Sequence, residues 1–500
     1  MSQGKLFSES EPRMGGTTLT KEKLSALRSK IIKLYRQDKR PWVIGYSGGK
    51  DSTAVVQLIW DAMIDLSRDG EMHKPIHILS SDTLVETPIV VDALRGNLKK
   101  MGEAAQKQGI KITANLVAPP PDQSFWVNLI GRGYPAPTTT FRWCTDRLKI
   151  QPANKFILDT VSSHGEAVLV LGVRTEESST RAQSIMLHEQ KAPEPDFSVH
   201  SSLPGALVYT PIVDWTTHDI WDFLGSATPP WGGSHRELIT MYRNAQSGDC
   251  PLVVDKTTSS CGNSRFGCWT CTVVSADKSM EALSEAEDGT GDWLLNLLEF
   301  REFLMKTTIP EAKHQYRQVR RRDGTIRFKD SKSSTFIWGP YTPKFRAEIL
   351  KRLLEAEEKA RKEGPDSNLE LISTGELIRL NEVWGREPHP EFFTLSVKDI
   401  VKSASSRLVE WAKNDDFGSR HQEQEVLVEV AEATEVPADI MARLLRIEEE
   451  ARFSAKRYRI KDKLMSALNS PWISTDEVLS ERARRKLAEE QEGGYEDQLV

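Results

Sequence analysis

Trp42-Val43-Ile44-Gly45-Tyr46-Ser47-Gly48-Gly49-Lys50-Asp51-Ser52-Thr53 is the stretch on which the reading of this chain turns. Its first five residues read as a short buried strand, the glycines as a turn, and Asp51 onward as a helix to about Leu66. Two glycines after a strand let backbone N–H groups converge on an anion, and the helix N-terminus adds partial positive charge. Lys50 brings a full charge, while Ser47, Ser52 and Thr53 bring hydroxyl donors. The spacing is shorter than a Walker A loop, which has four residues between its first Gly and Gly-Lys. Position, lysine and hydroxyls together predict a phosphate cradle, not a turn that serves geometry alone.

The alternation continues on both sides of the loop. Residues 21–39 predict a helix with Leu24, Leu27, Ile31 and Leu34 on one stripe, stopped by Pro41. Strands are expected at 76–80, 112–117 and 167–172, with a helix from Thr87-Pro88 to about Gln108 that ends at Gly109. Strands alternating with helices of this length imply right-handed crossovers and a doubly wound parallel sheet, an α/β fold. A ligand is expected at the C-terminal strand ends. Prolines and glycines crowd 118–137 and 226–233, which read as loops beside that crevice.

The chain has 500 residues, of which 38% are hydrophobic and 28% charged, enough apolar material for more than one core. Its 67 Lys and Arg against 72 Asp and Glu exclude a wholly basic nucleic-acid coat protein but permit a local basic patch. No apolar run reaches the ~20 residues of a membrane span, so no membrane association is expected. Met1 to Met14 lacks the apolar stretch of a secretory signal. A cytoplasmic location is expected, because five cysteines in this length do not make a disulfide scaffold.

Four of those cysteines, Cys250, Cys261, Cys268 and Cys271, lie within 22 residues. One Cys-x-x-Cys pair with two further thiols suits either an iron–sulfur cluster or zinc. Zinc ribbons show two tight pairs, so the single pair favours a 4Fe–4S cluster as the metal group. Cys144 stands apart, between Arg142 and Arg147, whose charges favour a thiolate.

The loop Ser47–Thr53 resembles the PP-loop of ATP pyrophosphatases, and further motifs follow in the order of the phosphoadenylyl-sulfate reductase branch. They are Ser81-Asp82-Thr83 with Glu86-Thr87, Arg142-Trp143-Cys144 with Lys149 and Pro152, Gly172-Val173-Arg174 with Glu177-Ser178 and Arg181, and Pro211-Ile212-Val213-Asp214-Trp215. The resemblance spans roughly residues 40–275. It implies an adenine-nucleotide alpha-hydrolase-like fold in which Ser47, Gly48, Gly49, Lys50, Asp51, Ser52 and Thr53 hold the pyrophosphate of ATP while an acceptor oxygen attacks the α-phosphorus. It further implies that Asp82 meets the nucleotide or its magnesium, and that Arg174 and Arg181 clamp anionic oxygens with their planar guanidinium groups. Pro211–Trp215 is expected to position the helix that begins near Thr216.

Two departures shape the functional expectation. Cluster-bearing reductases have two adjacent cysteines at the position of Trp143-Cys144, so here Cys144 either carries sulfur or replaces one of the four ligands; the carrier reading is favoured. Lys50, Asp51 and Cys144 are then the candidate catalytic residues. The reductases also use a cysteine near the C-terminus, and no cysteine follows Cys271, which argues against sulfonucleotide reduction.

Residues 313–332 hold eight Lys or Arg against two Asp, and the alternation from Tyr316 to Phe328 around Asp323-Gly324 predicts a basic hairpin. Its arginines suit a nucleic-acid backbone as well as they suit a solvated face. Beyond it, 343–363, 404–414, 421–434 and 437–468 read as helices. The expected organisation is a flexible 1–20, a PP-loop domain at 21–239, a cluster segment at 240–275, a basic hairpin region at 276–342 and a mainly helical region at 343–500. With Phe266-Gly267-Cys268-Trp269-Thr270-Cys271, this whole resembles the DNA phosphorothioation sulfurtransferases of the DndC family. That resemblance implies DNA as substrate, a cysteine desulfurase as sulfur donor, and partner proteins of the same phosphorothioation and restriction system. A tRNA thiolase, a sulfonucleotide reductase and a non-catalytic ATP-binding scaffold are the competing expectations.

Overall fold

The structure is a computed structural model that describes residues 18–177, 196–200, 202–245, 267–284, 291–322, 326–329, 335–387, 395–411, 417–434, scattered positions between 436 and 448, and 460–468. Its centre is a six-stranded sheet in the order β3-β2-β1-β4-β6-β5. The strands are β1 (Trp42–Gly45), β2 (Ile76–Ser81), β3 (Ile112–Val117), β4 (Ala167–Val170), β5 (Ser198–Val199) and β6 (Ala206–Tyr209). All neighbours are parallel except β5, which lies antiparallel on β6. Strand β1 pairs on both sides, Trp42 with Ile76 and with Val168, and all four of its residues are buried. A strand covered on both faces reads as a continuous apolar run, which is why it was legible.

The two faces carry separate cores. Trp42, Ile44 and Tyr46 pack with α1 (Lys21–Arg36), α2 (Lys50–Arg68) and α3 (Pro88–Gln108). Val43, Leu79 and Leu169 pack with Ala153 and Ile157 of α4 (Gln151–His164). This is the doubly wound arrangement expected. Gly109 closes α3 with φ +67, a left-handed conformation that glycine adopts without strain. Thr18 is tied down, its N–H and hydroxyl both donating to Asp219, and Thr20 caps α1.

The described chain forms two compact units, one of residues 1–125, 137–301 and 363–365, the other of 126–136, 302–362 and 366–500. These limits differ from the boundaries expected at 275 and 342. Residues 118–137 are also not simply a loop. Val127–Gly131 is a buried π-helical turn within the second unit, because Trp126 donates its indole N–H to Leu371 O and Trp384 donates to Ile130 O. Apolar burial outweighs the proline and glycine signal there. In the same unit the fully buried carboxylate of Glu357 accepts from Leu371 N–H at 2.7 Å and pairs with Arg361 and Arg407. Its helices include Pro343–Glu363, Thr374–Gly385, Val397–Ala404 and Phe417–Thr434. The helix expected at 404–414 instead ends at Ala404, capped at its start by Ser396.

The basic hairpin is corrected as well. Lys313–Tyr316 is a short helix, and among the described residues the flanks of the expected hairpin pair elsewhere, Phe328 with Phe336 and Arg317 with Tyr341. The Phe328 and Phe336 rings stack at 5.1 Å, and Arg317 donates to Gly339 O at 2.7 Å, which sets that pairing. Arg317 thus directs two of its nitrogens to backbone carbonyls, and exposed Arg322 directs one to that of Arg132. Asp323-Gly324 lies outside the described residues.

Asp61 on α2 yields a pH-dependent prediction. Burial pushes its carboxyl up to about 6; Asp65 adds to the shift and Arg28 opposes it. Arg28 commits its charge to Asp65 at 2.6 Å and reaches only the Asp61 carbonyl, at 2.7 Å. A raised carboxylate pKa means that stability falls as pH rises from the unfolded value through 6. Asp61→Asn is therefore expected to raise the unfolding free energy at pH 7.5, read from urea midpoints, by about 1 kcal/mol, partial exposure limiting the gain. The difference should vanish near pH 4; equal midpoints at pH 7.5 would contradict it. Among the described residues no helix is long and apolar enough to cross a membrane.

Candidate functional site

The chain leaves β1, returns through β2 and β3 on one side, and crosses to β4 on the other, so the switch point lies beyond the C-terminal ends of β1 and β4. The phosphate loop occupies it. Gly48 has φ +76, which turns the chain sharply after the strand. Ser47 Oγ accepts from Gly49 N–H at 3.2 Å and lies 2.9 Å from Ser52 Oγ, while Thr53 Oγ1 donates to Gly49 O at 2.8 Å. These bonds hold the loop closed on the first turn of α2. Strand β4 is admitted beside it because Gly172 has no side chain. A Cβ there would stand 3.0 Å from the Asp51 carbonyl group and 3.2 Å from Ser52 N.

Three loop charges form one buried network. Lys50 Nζ lies 2.9 Å from Asp51 Oδ2, and Arg174 Nε lies 2.6 Å from Asp51 Oδ1, all three side chains being almost fully buried. Arg174 also donates to Glu176 at 2.8 Å, to Trp215 O at 3.3 Å and to Thr217 Oγ1 at 3.2 Å. Burial tends to raise the Glu176 carboxyl, but hydrogen bonds from Thr217 and Arg174 outweigh it and hold it below the usual range. Arg174 was expected to clamp a ligand's oxygens; its guanidinium braces Asp51 against the start of α5 (Thr217–Ser226). Thr216 caps that helix reciprocally with Asp219, so Pro211–Trp215 leads into the helix as expected.

The end of β2 carries the second part of the site. Asp82 accepts from Leu84 N–H at 2.8 Å with one oxygen and from Arg95 at 2.8 Å with the other. It thereby holds Leu84 at φ +63, a left-handed conformation that costs a leucine about 1 kcal/mol. Beyond this turn, Glu86 bridges to Cys268, Thr87 donates to Gly267 O and Trp269 donates to Val85 O at 3.0 Å. Cys268 Sγ is 3.4 Å from Thr83 Oγ1 and 3.9 Å from Glu86 Oε1, and Lys149 Nζ is 3.2 Å from the same Glu86 oxygen. Burial and the Glu86 carboxylate push the Cys268 thiol well above its ordinary value.

Cys271 N–H donates to Cys268 O at 3.0 Å, so the pair forms one tight turn, a chelating arrangement that fits half of a cluster or zinc ligand set. Arg301 fixes the turn by donating to Cys271 O at 2.9 Å. Cys250, Cys261 and Arg181 lie outside the described residues, and no group of three or more metal-ligating side chains occurs among those described. Cys144 precedes the π-helical turn Thr145–Ile150 that runs into α4. Such wide turns often mark functional positions.

Tyr242 was missed by sequence reasoning. It lies on α6 (Arg236–Ala245), accepts from Lys50 N–H at 3.3 Å and has the Lys50 ammonium 5.5 Å from its ring centroid. Nothing local marks one tyrosine on an amphipathic helix as a neighbour of a loop almost two hundred residues earlier. Glu86, Thr83 and Lys149 stood in the quoted motifs without roles; Thr83 and Glu86 touch Cys268, and Lys149 pairs with Glu86.

Residues 41–274 match the model of the phosphoadenosine phosphosulfate reductase domain. Two curated relatives are similar over shorter stretches. One is the "uncharacterized protein MJ0066" of Methanocaldococcus jannaschii, 24% identical over 201 residues, which are 40% of this chain and 35% of the relative. The other is the "uncharacterized 37.8 kDa protein in gpa 5'region" of Escherichia phage 186, 33% identical over 86 residues, 17% of this chain and 23% of the relative. The chain thus spans about a third or less of the length of these relatives. Among solved structures, the U34-tRNA thiolase NcsA of Methanococcus maripaludis with its [4Fe-4S] cluster is 13% identical, with a TM-score of 0.25 over 59% of this chain and 83% of that one. The FMN adenylyltransferase of Candida glabrata in complex with FMN and the ATP analog AMPCPP is 12% identical, also with a TM-score of 0.25, over 42% of this chain and 60% of that one. The match over residues 41–274, just under half of the chain, agrees with the parallel sheet and with the loop at its switch point, so this stretch is similar in sequence to the phosphoadenosine phosphosulfate reductase domain.

Proposed function

We propose that the protein is an ATP-dependent sulfurtransferase that replaces a non-bridging phosphate oxygen of DNA with sulfur. The observation that carries this is the docking of the Cys268–Cys271 turn on the segment after β2, at the same sheet edge as the phosphate loop. One edge then offers both a seat for ATP and sulfur ligands or carriers. A DNA phosphate oxygen attacks the α-phosphorus of ATP, forming a phosphate–AMP anhydride and releasing pyrophosphate into the loop. The loop amides and Lys50 stabilise the charge that develops on the leaving pyrophosphate. Magnesium would accompany the ATP phosphates, and Asp82 would hold it by exchanging Arg95 for the metal.

The terminal sulfur of a persulfide on Cys144, supplied by a cysteine desulfurase, then attacks the DNA phosphorus and expels AMP, which takes the original oxygen with it. A dithiol reductant must cleave the resulting Cys144 sulfur–sulfur bond, its first thiol forming a mixed disulfide with Cys144 and its second releasing Cys144, which leaves sulfur on DNA and a disulfide on the reductant. A 4Fe–4S cluster would be held by Cys250, Cys261, Cys268 and Cys271, and when bound it would supply an electron-transfer group. The work of this chain's residues is to seat ATP, hold the cysteine turn and orient Cys144.

Mass spectrometry of nuclease-digested DNA from cells carrying the whole modification system tests the reading. Sulfur-containing dinucleotides are expected with wild type and not with Cys144→Ser. Sulfur in both would remove Cys144 as carrier; sulfur in neither, but in RNA, would replace DNA as the substrate.

A further inference from the structure

Phe141 is 46% exposed, and among the aromatic residues whose side chains are described it is the one that is exposed. Single exposed apolar residues are ordinary, but the mounting of this one is not. Thr138 and Phe141 exchange two backbone hydrogen bonds, N–H to O at 3.2 and 3.1 Å, which close a four-residue turn with the ring at its end. The base of the turn is braced from two directions. Thr272, next to Cys271, donates its hydroxyl to Pro137 O at 2.6 Å, and buried Trp143 stacks on Phe125 at 5.4 Å with 18° between the planes. The ring is therefore held out on a rigid support three residues before Cys144. Beside it lies Arg142, a partly buried residue whose guanidinium makes no hydrogen bond or ion pair among the described residues, and Thr139 and Thr140 are exposed.

From these features we infer that Phe141 and Arg142 form a one-nucleotide clamp that presents the substrate strand to Cys144, an unstacked nucleobase lying on the Phe141 ring and a backbone phosphate on Arg142. This rests on the reading of DNA as the substrate and names the residues that would hold it. A base offers a flat face to an aromatic ring, and its phosphate offers an anion to the adjacent guanidinium. A protein surface apolar enough to cover Phe141 would have to leave the Arg142 charge beside it without a partner, which favours the nucleotide.

The test is fluorescence anisotropy with the full chain and a labelled single-stranded oligodeoxynucleotide over a salt series, with thermal unfolding as the control for folding. Phe141→Ala is expected to weaken binding about 5- to 100-fold with an unchanged salt slope, and Phe141→Trp to restore it. Arg142→Gln is expected to lower the salt slope by about one. An oligonucleotide carrying 5-iodouracil should photo-crosslink to Phe141 in the wild type. If wild type binds but Phe141→Ala binds equally well, the clamp is wrong and the DNA reading stands. If Phe141→Ala keeps DNA binding but no longer co-purifies with the sulfur donor, the turn is a protein contact and the clamp is wrong. If wild type binds no oligonucleotide, the DNA reading fails and the clamp with it.

Discussion

Lys50→Ala is expected to abolish pyrophosphate release from ATP while leaving the protein folded. Lys50 is buried at the first turn of α2, and its ammonium is the charge that the loop Ser47–Thr53 adds to its backbone amides. Loss of one donor aimed at developing charge lowers turnover about 100- to 1,000-fold, and loss of a full charge in a dry site more. Removing Lys50 also takes one buried partner from Asp51 and lowers stability, but Asp51 keeps Arg174 at 2.6 Å, and Arg174 alone bridges it to Glu176, Trp215 and Thr217, so the chain still folds. The measurement is pyrophosphate release beside an unfolding curve. Turnover within a few-fold of wild type would remove Lys50 from the chemistry and the loop from the ATP site.

Arg174→Ala is expected to act the opposite way, through stability. Asp51 is 2% exposed, and with Arg174 absent one of its oxygens loses its buried partner. Glu176, Trp215 and Thr217 lose the same donor. Breaking a buried pair by removing one member costs about 3–5 kcal/mol. Arg174→Lys should recover part of this, since an ammonium restores the charge but not the fork that reaches Asp51 and Thr217 together. Chemical denaturation measures both variants. A midpoint for Arg174→Ala indistinguishable from wild type would mean that Asp51 is satisfied some other way and that Arg174 is available to a ligand.

These two residues show what was legible and what was not. The loop, β1, α2 and the parallel sheet were readable because their signals are local: a buried run, two glycines, a helical stripe. Strand β3 was read at 112–117, and it spans Ile112–Val117. Strands β5 and β6 were not read: β5 has only two residues, and β6, as short as β1 and β4, is not followed by a glycine turn that marks its end. Arg174 was expected in the site through the Gly172-Val173-Arg174 motif, but its bond to Asp51 joins positions 123 apart, which no periodicity encodes. The same holds for Cys268 with Thr83 and Glu86, and for Tyr242 with Lys50. The hairpin failed for a related reason. Asp323-Gly324 is a turn signal, yet the Phe328–Phe336 stack and the Arg317 bonds to Trp338 and Gly339 reward a different pairing.

The most direct measurement follows an oxygen atom. DNA carrying a heavy oxygen isotope at its non-bridging phosphate positions is supplied, with ATP, a dithiol reductant and the sulfur-donor system, to the full-length protein, and the AMP formed is weighed by mass spectrometry. Attack by a DNA phosphate oxygen on ATP, followed by displacement by sulfur, predicts one heavy oxygen in each AMP and one sulfur in the DNA. Sulfur-containing DNA accompanied by unlabelled AMP would mean that ATP was cleaved without adenylating the DNA phosphate, and would contradict the mechanism.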